Sequence, residues 1–184
     1  TNMYENPILQ DNLKVLASYG KKIIEPASGM LACRDVGKGK MPEPEVLFQH
    51  ILRMIAFDKD LAGKKVLVTA GPTQEAIDPV RYITNHSTGK MGYAIAENAM
   101  LRGADVTLVT GPCAVEPPMF VKVKPVISAQ DMYEAVTEEY DQTDIVIMTA
   151  AVADYRPAQV STEKVKKQDS DLSCLLYTSP SPRD

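Results

Sequence analysis

The 184 residues are 45% hydrophobic and 24% charged with a formal net charge of −4, a globular balance that excludes wholesale disorder and collagen-like structure. No apolar run approaches the ~20 residues of a membrane helix, and the acidic excess argues against nonspecific nucleic-acid binding. Three cysteines are too few, and odd in number, for a secreted disulfide scaffold, so a cytoplasmic location is expected.

Asn6-Pro7 is a helix start, an Asn cap with Pro in the first turn. Ile8, Leu9, Leu13 and Leu16 then recur at helical spacing, and Gly20 supplies the stop. Residues 22–24 form a short strand candidate, and 32–44, rich in Gly and Pro, read as a loop. A second helix is predicted over about 45–57, with Leu47, Ile51, Met54 and Ile55 on one face. A charged linker follows at 58–63. Two helices and one strand offer too little apolar surface for an independent core, so residues 1–57 read as the end of a domain.

From Lys64 the pattern changes. Residues 66–70 are an apolar, β-branched run that stops at Gly71-Pro72, as a buried strand does. A long loop is expected from Gly71 to about Ser87, where Ser87-Thr88 opens a helix bearing Met91, Ala94, Ile95 and Ala99 on one face. Residues 106–110 and 145–151 are further buried strands, and Ser128 caps a helix between them, with Asp131 completing a capping box. This alternation predicts an α/β fold with a Rossmann-like parallel sheet.

In such sheets ligands bind beyond the carboxyl ends of the strands. The loop after Ala70 carries Gly71-Pro72-Thr73, Asp78-Pro79-Val80-Arg81 and Asn85-His86-Ser87-Thr88-Gly89-Lys90-Met91-Gly92. Asn, Ser and Gly before a helix present free amides and the positive end of its dipole to an anion, with Lys90 and Arg81 as added charge. The plain alternative is an ordinary Ser/Thr cap. A P-loop fails here, because Thr84 and Met91 stand where Gly and Ser or Thr are required, and the dinucleotide fingerprint fails because Gly71 stands alone. After the third strand, Asp154 suits a ribose hydroxyl or a metal-bound phosphate, or is simply a turn residue ahead of Pro157. Lys164, Lys166 and Lys167 form a cluster able to meet a polyphosphate, or a solvated surface. Cys33 beside Arg34 is a candidate thiolate, or an unreactive small residue. His50 lies in the helix repeat, and His86 has no Cys or carboxylate at metal spacing, so a zinc site is unsupported.

Together these segments resemble the coenzyme A biosynthesis bifunctional proteins, over nearly all of residues 1–167. The resemblance rests on Val68-Thr69-Ala70-Gly71-Pro72-Thr73 through Gly92, on residues 150–156, and on Glu163-Lys164-Val165-Lys166-Lys167. It implies a flavodoxin-like, FMN-dependent phosphopantothenoylcysteine decarboxylase, ending at residues 1–57, joined to a phosphopantothenate–cysteine ligase that uses CTP and magnesium, beginning at 64–173. Ligation would pass through an acyl-cytidylate, which the amine of cysteine then attacks.

By the same resemblance Asn85 holds phosphopantothenate and its activated intermediate, while Ser87 and Gly89 cradle the phosphate. Met148, Thr149 and Ala150 would line the cytidine site, Asp154 the nucleotide, and Lys164 would serve CTP activation. Cys33 matches the decarboxylase proton donor, although the family has Gly where Arg34 stands. Asn2-Met3-Tyr4 resembles the close of a decarboxylase motif whose essential Asn precedes Thr1. The family also implies homo-oligomers, whereas the metal ligands stay unknown. Residues 174–184 match nothing in the family and read as one frame of a transposon-end adapter, a non-native tail. The chain by itself is therefore expected to be a fragment that neither decarboxylates nor appreciably ligates. A noncatalytic nucleotide- or phosphate-binding module is the alternative, and a dinucleotide oxidoreductase is disfavoured by the absent fingerprint.

Overall fold

Asn6 accepts a hydrogen bond from the Ile8 amide at 2.9 Å, and Pro7 opens helix α1 (Pro7–Ser18). The helix closes in a left-handed turn. Gly20, at φ +77°, donates to the Ala17 carbonyl and Lys21 to that of Leu16, so two carbonyls at the helix end are satisfied. Both ends follow from local chemistry and stand where the residues place them.

The computed structural model describes residues 2–31, 34–166 and 176–178, and divides into Thr1–Ala56 and Phe57–Asp184. In the first unit, α1 is followed by an antiparallel hairpin of β1 (Ala27–Met30) and β2 (Val36–Lys40), then by α2 (Pro44–Ile55). The hairpin corrects two expectations. Residues 22–24 form no strand, and β2 lies inside the stretch read as a loop. Its Val-Gly-Lys-Gly-Lys run has too few apolar side chains to register as a strand, and it is held by ladder bonds to β1.

The hairpin turn places Arg34 at φ 67°, a left-handed conformation that side chains disfavour. Cys33 lies outside the described residues. Arg34→Gly is expected to relieve about 1 kcal/mol of strain. Amide exchange in β1 and β2 should slow roughly fivefold, whereas unchanged exchange would show the turn to be unstrained. No described residue of 1–56 is buried, and Phe48, Ile51 and Met54 on α2 are each at least half exposed. Among the described residues this unit consists of two helices and a hairpin without a buried side chain.

The second unit is built on β3 (Lys65–Ala70), whose run is buried from Val66 onward. The chain continues through a ribbon of β4 (Gln74–Ala76) and β5 (Tyr82–Thr84), helix α3 (Lys90–Leu101), β6 (Asp105–Thr110), β7 (Lys122–Pro125), helix α4 (Ala129–Tyr140) and β8 (Ile145–Met148). The four-stranded sheet is parallel in the order β7-β6-β3-β8. Winding runs outward from β3 through β6 to β7, then returns across β3 to β8. The reversal falls between β3 and β8, where open sheets of this kind bind ligands.

Alternation along the strands assigns the two faces. Leu67 and Val109 pack with Val126, Met132 and Val136 of the α4 side, all buried. On the other face α3 buries Tyr93, Ala96, Ala99 and Met100, and the Tyr93 hydroxyl lies 3.1 Å from Thr110 Oγ1. Ser128 caps α4 through Asp131 in a complete capping box, as expected.

Four details differ from expectation. The loop 71–87 contains the β4–β5 ribbon, and β7 had no sequence signal because a short, Lys-bearing edge strand needs little apolar content. The α3 cap is Gly89 in the left-handed region, and Ser87 instead accepts a bond from the Gly89 amide at 3.3 Å. Beyond β8, β9 (Tyr155–Pro157) pairs antiparallel with β10 (Leu176–Thr178), so three residues of the suspected tail form an exposed strand. Its remaining residues lie outside those described.

Candidate functional site

The site is shaped first by glycines. Gly71 leaves β3 at φ +73° and Gly89 enters α3 at φ +72°. A Cβ on Gly89 would stand 2.5 Å from Cys113 Sγ and 3.4 Å from the Gly71 Cα, and a Cβ on Gly71 would strike the same sulfur. A Cβ on Gly92 would lie 2.5 Å from both Ala70 Cβ and Thr149 Oγ1. The first turn of α3, whose leading amides have no partner within the helix, is thereby drawn against the carboxyl ends of the strands.

Hydroxyls then tie the segment after β8 to β3. Thr69 Oγ1 accepts from the amides of Thr149 (3.2 Å) and Ala150 (3.3 Å), and Thr149 Oγ1 donates to the Thr69 carbonyl at 2.5 Å. Thr73, wholly buried, accepts from the Ala153 amide at 2.9 Å. Asn85 completes the closure, its Nδ2 donating to the carbonyls of Val152 (3.0 Å) and Ala151 (3.4 Å).

Asn85, Ser87 and Gly89 therefore border one side of the switch point. Met148, which ends β8, and Thr149 and Ala150, all half-buried, border the other. Asp154 is exposed just beyond and makes no hydrogen bond among the described residues. Lys164 is also exposed, on the strand-free segment after β9, whereas Lys167 lies outside the described residues. His86 is exposed, and no group of three metal-ligating side chains forms among the described residues.

Arg81 does not take the role of added charge for an anion. Its Nε and Nη2 donate to Asp78 Oδ2 at 3.0 and 2.5 Å, and Nη2 also donates to the Val165 carbonyl at 2.8 Å. Asp78, 3% exposed, accepts in addition from the amides of Val80, Arg81 and Val165. The Arg81 guanidinium, foremost, and these amides hold its carboxyl far below the usual carboxylate range. A depressed carboxylate stabilises the fold above its unfolded value of 3.8 and loses that contribution as pH falls below it. Asp78→Asn is thus expected to melt lower than the parent near neutral pH, with the gap narrowing between about pH 4 and pH 2. A gap independent of pH would remove the charge from the explanation.

Thr69 and Cys113 act at this site without a role having been read for them in the sequence, and Thr73 and Asp78 stood there only as members of the loop after Ala70. The available signal is a hydroxyl near the end of an otherwise apolar strand for Thr69, and a hydroxyl directly after the Gly71-Pro72 turn for Thr73.

A parallel sheet wound in this order, with glycines at the switch point, defines a Rossmann-like α/β domain. Residues 61–181 match the DNA/pantothenate metabolism flavoprotein C-terminal domain, and residues 1–56 match the flavoprotein family. The coenzyme A biosynthesis bifunctional protein CoaBC of Haemophilus influenzae is 48% identical over 178 residues, 97% of this chain and 44% of that protein. Its Bacillus subtilis counterpart is 49% identical over 178 residues, 95% of this chain and 44% of that protein. The crystal structure of the C-terminal domain of a coenzyme A biosynthesis bifunctional protein CoaBC superposes with a TM-score of 0.58 at 52% identity, covering 66% of this chain and 57% of that one. The chain belongs to the family of coenzyme A biosynthesis bifunctional proteins, and spans less than half the length of these curated relatives.

Proposed function

We propose that residues 64–173 begin a ligase domain that joins 4'-phosphopantothenate to cysteine at the expense of CTP. Residues 1–57 would end the decarboxylase that acts on the product, with 58–63 as the linker. The carrying observation is Asn85 bonded to the Ala151 and Val152 carbonyls at the switch point, beside the amides of α3. One amide-bearing side chain there spans both sides of a cleft shaped for an anion.

In this reading the α3 amides and Gly89 hold the substrate phosphate, with Ser87 fixing the turn. Met148, Thr149 and Ala150 form the wall against which the cytidine lies, with Asp154 at its edge. Lys164 offsets negative charge as the pantothenate carboxylate attacks the α-phosphorus of CTP and pyrophosphate leaves. Asn85 orients the acyl-cytidylate for attack by the amine of cysteine, after which CMP leaves. The work is mostly positioning and charge stabilisation. Magnesium would arrive with the triphosphate, since no cluster of three ligands exists among the described residues. The decarboxylase chemistry of FMN and Cys33 is assigned to the full-length protein, since this chain spans less than half the length of its curated relatives.

A location in the cytoplasm fits a reaction on soluble substrates, and no helix of the described residues is long and apolar enough to cross a membrane. The full-length protein is expected to release pyrophosphate from CTP only with 4'-phosphopantothenate, and CMP only when cysteine is added. CTP binding without release would instead support a noncatalytic nucleotide-binding module.

A further inference from the structure

We propose that Asp78 is a positioning residue that, with Arg81, grips the backbone of Val165 and so holds Lys164 in place. The inference rests on the ligase reading, which gives Lys164 its task. Val165 is held by both of its backbone polar atoms. Its amide donates to Asp78 Oδ2 at 3.1 Å, and its carbonyl accepts from Arg81 Nη2 at 2.8 Å. The pair that grips it is itself rigid, because Asp78 is buried and bound to Arg81 through two nitrogens and to the Val80 and Arg81 amides at 2.9 and 2.8 Å.

A second tether lies just upstream, where the Ser161 amide donates to the Ile77 carbonyl at 3.0 Å. Ser161 Oγ then donates to the Glu163 carbonyl at 2.6 Å. Residues 161–165 are thus strapped to the turn of the β4–β5 ribbon at two points, with Lys164 between them. Its side chain has no hydrogen bond among the described residues and is exposed. The root of the lysine is fixed while its ammonium stays available.

The energetic consequence follows from chain entropy. An unanchored segment would have to be ordered by the arriving nucleotide, at a cost in backbone conformational entropy for each residue fixed. An anchored one presents its charge beforehand, and the nucleotide keeps that binding energy. This separates Asp78 from an ion pair that only stabilises the fold. Loss of the anchor weakens CTP selectively and leaves cysteine untouched.

The test compares the parent full-length protein with Asp78→Asn and Arg81→Lys. The second keeps a cation beside Asp78 and removes the fork that reaches the Val165 carbonyl. Trypsin cleavage after Lys164 is expected to quicken at least about tenfold in both, at temperatures well below their melting points. The KM for CTP should rise about tenfold or more, with the KM for cysteine unchanged. Cleavage at the parent rate, or equal loss toward CTP and cysteine, would overturn the proposal. Should Asp78→Asn fail to fold, Arg81→Lys decides by the same two readouts. If the parent itself releases no pyrophosphate from CTP, the ligase reading fails, and with it the task assigned to the anchored lysine. The cleavage rates then still report whether Asp78 and Arg81 hold the segment.

Discussion

Gly111→Ala is expected to destabilise the second unit by about 3 kcal/mol or more, lowering the melting temperature by roughly 10 °C. Gly111 follows β6, and a Cβ placed there would overlap the carbonyl of Pro72. That carbonyl belongs to a backbone fixed on both sides. Pro72 pairs with Ala151 in a parallel bridge, and the Gly71 carbonyl accepts from the Ala151 amide at 2.8 Å. Gly111 is itself held by its amide bond to the Ala70 carbonyl at 3.0 Å. Relief would require separating the ends of β3, β6 and β8, the same three ends that frame the site.

Gly63→Ala is the matching control. Gly63 has φ +77°, but no atom lies within 4 Å of a Cβ placed there. It should cost only the conformational strain, about 1 kcal/mol. Equal losses at the two positions would mean that the close approach at Gly111 has no energetic weight.

Asn85→Ala in the full-length protein should lower ligation at least about 100-fold while the fold survives. The alanine gives up two carbonyl bonds made by a solvent-exposed side chain, worth about 1 kcal/mol each at most. A few degrees of melting temperature is the expected structural cost. The loss of turnover would instead come from the amide, whose donors lie between the loop before α3 and the carbonyls after β8. Asn85→Asp should be at least as damaging, since a carboxylate would face the Ala151 and Val152 carbonyl oxygens without a proton to share. Turnover near the parent value in Asn85→Ala would remove Asn85 from the site.

Much of this architecture is legible in short windows of sequence. Asn6-Pro7 and Ser128 with Asp131 announce their helices because a cap is satisfied by residues two or three positions away. The runs at 66–70 and 106–110 announce strands because burial on both faces demands unbroken apolar character. The loop after Ala70 stands out as a binding candidate because Asn, Ser and Gly converge ahead of a helix. The family resemblance rests on these same blocks.

Tertiary structure decided what depends on partners far along the chain. The hairpin of β1 and β2 and the edge strand β7 carry weak local patterns and exist through their ladders. Arg81 looks like a free cation in sequence, yet its charge is engaged by Asp78 three residues away and its fork reaches Val165, 84 residues on. Gly71, Gly89 and Gly111 lie apart in the sequence, and only the fold shows that Cys113 and the Pro72 carbonyl occupy the space their side chains would need. Sequence by itself determined the elements whose hydrogen bonds and apolar faces are settled within a turn or a strand. The cleft and its crowded glycines were decided by contacts that form only when β3, β6 and β8 lie side by side, and the place of residues 161–165 by bonds to the distant β4–β5 turn.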